Sequence, residues 1–231
     1  METSLHRQLK ELYADDDSQT EVQLGDFRID AIFQDQLVEI QHGSLAAIRD
    51  KIKKLLVSHR VMVVKPIILR KQLVKCSSRG GPVVDRRRSP RSGSRLDLFD
   101  ELVYFTTVFP HRNLVLETPL IDIEEWRYPG HGKRRRHRKN DFQVEDRRLT
   151  NIHETLQYKS ASDLLRLVPT SLPTPFHTGH LEKSLDVPRW NAQRIAYCLR
   201  ETGAICQVGK EGNTRLYRKA RRLRKRRRKV A

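Results

Sequence analysis

The sequence predicts an α/β fold with a mixed sheet, followed by a smaller unit of two helices and a hairpin. Three observations point there. Within the first 67 residues the apolar spacing switches from helical to a two-residue period and back. A short, wholly apolar run follows, the mark of a strand buried on both faces. Near the C-terminus, two short helical patterns precede two strand patterns.

Residues 3–13 place Leu5, Leu9 and Leu12 on one helical face, with Thr3 or Ser4 able to cap its start and Asp15-Asp16-Asp17-Ser18 to end it. Between 20 and 41, Val22 and Leu24, then Phe27, Ile29, Ala31 and Phe33, then Val38 and Ile40 alternate with mostly polar residues. Gly25-Asp26 and Gln34-Asp35 are turn pairs of hairpin length, so a three-stranded antiparallel meander is expected. Residues 44–57 return to helical spacing through Leu45, Ile48, Ile52, Leu55 and Leu56, with Ser44 as N-cap. The run Arg60–Ile67 is then a buried strand set beside the meander after a helical crossover. The predicted core order is α-β-β-β-α-β.

Further on, 67–75 extends this as strand, 77–95 is a long mobile loop rich in Arg, Ser, Gly and Pro, and 96–105 is helical. Residues 113–127 are strand, 128–140 are a charge run in a linker, 149–157 are strand and 161–168 a short helix. Tyr104, Phe105 and Phe109 are expected in a core. The chain thus divides into an α/β domain over 1–127, with its basic loop at 77–95, a basic linker and connector over 128–172, a second unit over 173–219, and a basic tail over 220–231.

The net charge is +18, unevenly spread: residues 1–66 carry 9 Lys/Arg against 11 Asp/Glu, and residues 67–231 carry 37 against 17. A strongly cationic surface neutralises phosphates and releases counterions, so a nucleic acid is the expected partner, DNA ahead of RNA. Cys76, Cys198 and Cys206 are widely spaced, which supports neither a disulfide framework nor a zinc ribbon. The pair His177 and His180 lacks partnering cysteines and is discounted as zinc ligands. No phosphate-loop or dinucleotide fingerprint occurs. No apolar run reaches the roughly 20 residues of a membrane span, and no signal peptide is visible, so a cytoplasmic, nucleoid-associated protein is expected. The sequence leaves the oligomeric state open.

If both turns hold two residues, Leu24 pairs with Phe27 and Phe33 with Gln36. Glu21 then faces Asp30, and Asp30 faces Glu39, with Gln41 two residues further on the same face. Like charges directly opposite destabilise a sheet, so such a row needs a reason. A divalent cation, Mg²⁺ or Mn²⁺, is one; a solvated polar face is the other. Asp30, eight residues, then Glu39-Ile40-Gln41, inside this element order, resembles the PD-(D/E)XK nuclease superfamily over about residues 2–67. The resemblance implies that Asp30 and Glu39 hold metal, with the Ile40 carbonyl completing the shell. It makes Glu21, Glu2 or Glu11 the accessory acid. The family usually has Lys where this chain has Gln41. Gln41 would position water without adding charge, and Lys51, Lys53 or Lys54 on the next helix is the candidate replacement. A degenerate, non-cleaving domain is the alternative the substitution raises.

From Phe176 onward, Leu181 and Leu185 mark a short helix capped by Thr178, and Pro188 begins another. In that helix Ala192, Ile195, Ala196 and Leu199 form the buried stripe, opposite Trp190, Arg194 and Tyr197. Two strands, 204–208 and 214–218, close the unit. Over residues 173–219 this order resembles a winged helix-turn-helix. The resemblance makes 189–202 the recognition helix, with Arg189, Asn191, Gln193 and Arg194 toward bases or phosphates, and 209–213 the wing, with Lys210 and Arg215 on the backbone. A winged helix used for protein contact, with Trp190 and Tyr197 packed on the first domain, is the competing use. Ten of the twelve residues from 218 to 229 are Lys or Arg, Arg221 and Arg222 among them, so the tail is expected to add affinity without sequence choice. The same two-part layout resembles that of uncharacterised bacterial proteins. The sequence therefore points to a Mg²⁺-dependent DNA nuclease or repair-type phosphodiesterase. A non-catalytic DNA-binding regulator and an RNA-binding accessory protein are the alternatives.

Overall fold

The computed structural model describes residues 3–14, 20–130 and 141–220. Glu2, the Asp15–Asp17 stop, the charge run from 131 to 140, and Arg221 and Arg222 lie outside these residues. The fold is mixed α/β, built on a large mixed sheet.

Helix α1 (Ser4–Leu12) leads into the meander β1 (Thr20–Leu24), β2 (Phe27–Phe33) and β3 (Gln36–Ile40). Both turns hold two residues, with Leu24 opposite Phe27 and Phe33 opposite Gln36. Gly25, Gln34 and Asp35 take the positive φ that such tight hairpins require. After a 3-10 turn at Leu45–Ala47, where Ser44 Oγ accepts from Ala46 N at 3.2 Å, helix α2 (Arg49–Leu55) crosses to β4 (Val61–Val64). All four β4 residues are buried, and β4 runs parallel to β3. The α-β-β-β-α-β order is thus present as geometry.

Strand β5 (Ile67–Cys76) continues from β4, and β7 (Leu114–Pro129) pairs in parallel with both, first with β4 and then with β5. Strand β8 (Phe142–Tyr158) runs antiparallel along the other flank of β7. Two expectations are corrected here. Residues 77–95 are not all loop, because β6 (Val83–Arg88) pairs with β5. All six of its residues are exposed, so ladder bonds rather than burial make it a strand, and no apolar alternation announced it. Residues 142–158, expected mainly as connector, are a full-length partner of β7. Helix α3 (Leu98–Leu102) fits its prediction, and residues 161–167 form a 3-10 helix.

The C-terminal unit has α4 (Thr178–Leu185), α5 (Arg189–Glu201), β9 (Ile205–Glu211) and β10 (Thr214–Lys219). The α4 cap is His177 rather than Thr178, its Nδ1 accepting from Gly179 N at 3.0 Å, which gives the stacked His177–His180 pair a structural role. Phe176 bridges Tyr217 through two backbone bonds, an isolated bridge on the edge of the two-stranded hairpin.

Two cores flank the sheet. On one face α1 buries Leu5 and Leu9 against Ala31, Val38, Ile40, Met62 and Val64. Leu12 is 52% exposed and outside it. On the other, Ile52, Val63, Phe99, Phe105 and Leu116 belong to one continuous cluster with Ile195 and Leu199 of α5. Phe105 and Phe109 are buried as expected, whereas Tyr104 is exposed. The C-terminal helices therefore share apolar packing with the sheet rather than hanging from a linker. Among the described residues no helix is long and apolar enough to cross a membrane.

Candidate metal centre and nucleic-acid interface

The site begins where β2 leaves β3. Their pairing runs from Phe33–Gln36 back to Ala31–Val38. The next ladder position is taken by a side chain, because Asp30 Oδ2 accepts from Ile40 N at 2.7 Å. Straight alternation would put Ile29 and Ala31 on one face, yet they fall in opposite cores. The strand thus twists at Asp30. That carboxylate lies within reach of α1, where His6 Nε2 is 3.3 Å from Asp30 Oδ1. Burial pushes the Asp30 carboxyl up, but the bonds from His6 and Ile40 N outweigh it and hold it below the usual range.

Glu21 joins from β1. Its φ is +55°, a left-handed conformation that costs a non-glycine residue about 1 kcal/mol. Lys10 of α1 and Arg28 of β2 both pair with its carboxylate. One ligand atom from each of His6, Glu21 and Asp30 lies within 4.8 Å of the other two, a separation that a single ion can bridge. The cleft over this cluster is lined by Lys10, Arg28, His42 and Arg147.

Glu39 is nearby but outside the triad. Lys51 of α2 is its ion-pair partner and also donates to Arg28 O at 2.5 Å. Only 5% of Glu39 is exposed, and burial raises its carboxyl to about 7 in spite of Lys51, with Asp30 adding to the rise. Ile40 meets Asp30 through its N–H. Gln41 is turned away, its amide donating to Ser44 O at 2.8 Å. The single-face carboxylate row therefore divides: Glu21 and Asp30 meet α1, and Glu39 meets α2. Glu11 is exposed and not part of the triad, and His6, also on α1, stands where an accessory acid was expected. Sequence reasoning passed over His6, Lys10 and Arg28. The spacing of His6 and Lys10, one helical turn apart, was the available signal.

Behind the cluster, buried Lys65 donates to His42 O at 3.0 Å and Gly43 O at 2.5 Å, fixing the loop after β3. The His42 ring packs 5.3 Å from that of His6. Burial lowers its pKa to about 4, so it is neutral at pH 7.

In the C-terminal unit the expected contacts are unequal. Gln193, Lys210 and Arg215 are exposed. Arg189 pairs with Glu182 at 3.1 Å. Arg194 is engaged within the protein, bonded to Asp100 of α3 and stacked on Trp190 at 4.9 Å. Asn191 is half-buried, and its Oδ1 has no hydrogen-bond partner among the described residues. Trp190 and Tyr197, the residues a protein-contact use would pack on the first domain, are 56% and 39% exposed.

Residues 3–159 match the family described as Domain of unknown function (DUF8091). The chain is a member of the DUF8091 family. The DUF8091 match runs from the start of α1 to one residue past β8, so it contains every residue of the candidate centre. A protein of Treponema pallidum (strain Nichols), described only as uncharacterized, is 30% identical over 220 residues, covering 94% of this chain and 85% of its own. An alignment of that length takes in the C-terminal unit as well. No solved structure matches the chain.

Proposed function

We propose that this DUF8091 protein is a nucleic-acid-binding, metal-dependent phosphodiesterase of the PD-(D/E)XK type with a C-terminal winged helix. The observation that carries it is the approach of His6, Glu21 and Asp30 to within 4.8 Å in a cleft rimmed by cations. The donor set fits a divalent ion: two carboxylates suit Mg²⁺ or Mn²⁺, and the imidazole tilts the choice toward Mn²⁺ and later first-row ions. A bound ion would supply phosphate polarisation and a more acidic water. The chain's own groups do the rest. Glu39, titrating near 7, is suited to accept a proton from the attacking water. Lys51 beside it supplies the charge that Gln41 does not, toward the developing phosphorane. Arg28 and Arg147 line the cleft where a phosphate would approach. Two helices followed by a hairpin, with the Phe176–Tyr217 bridge, support the winged-helix part, although β9 runs on to Glu211 and leaves a two-residue turn where a 209–213 wing was expected.

A second reading, a non-catalytic DNA-binding regulator, is favoured by one fact. Lys10, Arg28 and Lys51 already neutralise Glu21 and Glu39 without an ion. Incubating the purified chain with supercoiled plasmid, with and without Mg²⁺ or Mn²⁺, separates the two. The phosphodiesterase nicks the plasmid only with metal, and Asp30→Asn and His6→Ala abolish nicking while gel-shift binding persists. Intact plasmid under both ions, with no ion binding by calorimetry, leaves the regulator.

A further inference from the structure

We propose that the groove between α5 and the β9–β10 hairpin holds a single strand of nucleic acid, with a base stacked on Tyr197 and phosphates on Arg189, Arg200 and Arg215. The inference rests on the nucleic-acid half of the function proposed above and not on cleavage. A duplex-reading helix must present polar side chains along a face free to enter a major groove about 12 Å wide. Here one flank of α5 is closed by α3: Arg194 is held by Asp100, and Cys198 Sγ lies 3.6 Å from Phe99 O. The face that remains open is different in kind. Arg189, Gln193, Tyr197 and Arg200 line a groove whose far wall is Asn213 and Arg215.

Each feature of that groove fits an unpaired strand. Tyr197 is 39% exposed, with the Arg200 guanidinium 5.6 Å from its ring centroid, so a base can stack on the ring beside that cation; every base has such a face, so the binding tolerates sequence. Arg189 pairs with the surface acid Glu182, and half-buried Arg200 with Glu201 and Tyr217; partly exposed ion pairs of this sort are weak and readily exchanged for phosphate. On the hairpin, Lys210 and Arg215 sit directly opposite one another. Like charges in that position oppose pairing, and a polyanion relieves the conflict.

The test uses the full chain in EDTA, where metal-dependent cleavage cannot occur. Fluorescence anisotropy is read on labelled oligo-dT and oligo-U of about 12 nucleotides and on a duplex of the same length, over a salt series. Single strands are expected to bind tighter than duplex at matched salt, the tighter of the two naming the strand chemistry. Tyr197→Ala should weaken single strands by roughly 5- to 100-fold with the salt slope unchanged. Tyr197→Phe should keep wild-type affinity, and Arg215→Ala should lower the slope by about 0.7. Circular dichroism verifies that each variant folds, and the Phe and Arg215 variants carry the test if Tyr197→Ala does not. Tighter duplex binding, or single-strand binding indifferent to residue 197, overturns the single-strand groove alone. Binding to none of the three overturns the nucleic-acid reading itself.

Discussion

At the scale of single residues, two buried groups beside the candidate centre pull against each other. Burial raises Glu39 to about 7, so the folded chain holds a proton there that the unfolded chain has released from about 4.5 upward. Its contribution to stability is complete below that lower value and is lost as pH rises through about 7. His42 has the opposite sign. Its folded value is about 4 against an ordinary 6.5, so its contribution is present above 6.5 and is lost as pH falls through 4. The two windows overlap, and the displacements are of similar size. Without metal, the stability of the wild type should therefore be nearly level between pH 4.5 and 7. Glu39→Gln should unmask a rise with pH on the order of 2 kcal/mol across that window, measured by urea unfolding in chelator. A level profile in the variant would mean that burial does not depress His42.

At the scale of elements, α1 is placed by a strand far away in sequence. Thr3 makes no side-chain cap; instead Ser4 N and Oγ donate to Asp146 of β8 at 2.9 and 2.7 Å. A carboxylate at a helix N-terminus satisfies free N–H groups and complements the macrodipole. Asp146→Ala should cost about 1–2 kcal/mol and Ser4→Ala less, read as shifts in the unfolding midpoint. An unmoved midpoint in both variants would refute the cap. This placement was not legible beforehand. Periodicity and turn pairs identified α1, the meander and its register, α2 and β4, because each announces itself within about ten residues. What packs against α1 is decided by β8, whose exposed 150–155 stretch carries no apolar alternation. His6 was missed for that reason, whereas Glu21, the accessory acid with the better geometric case from the turn count, does join the cluster. The twist at Asp30 was equally hidden. Counting from two-residue turns gives correct pairs up to Ala31–Val38, but where a ladder stops depends on the three-dimensional course of both strands. Lys51 was within view as a displaced lysine, since helical spacing already set α2 beside the meander.

At the scale of the whole molecule, the two units are one packed body. Phe99 and Leu102 of α3 share a cluster with Ile195 and Leu199 of α5, and Asp100 bonds Arg194 across the same junction. The positive charge is also arranged at this scale: the acidic cluster sits in a sheet cleft, and the cationic residues gather on β6, α5 and the hairpin. Composition made that division legible, while the helix flank that α3 would close was not.

The β7–β8 pairing has a practical corollary. Residues 128–172 supply the cap of α1 through Asp146 and a wall of the cleft through Arg147, which also donates to buried Glu125 at 2.9 Å. The polypeptide should therefore tolerate being made in two pieces but not being shortened. Co-expressed fragments 1–135 and 136–231 should copurify through the zipper from Leu116–Tyr158 to Pro129–Phe142, whereas a fragment ending at 127 should be insoluble alone.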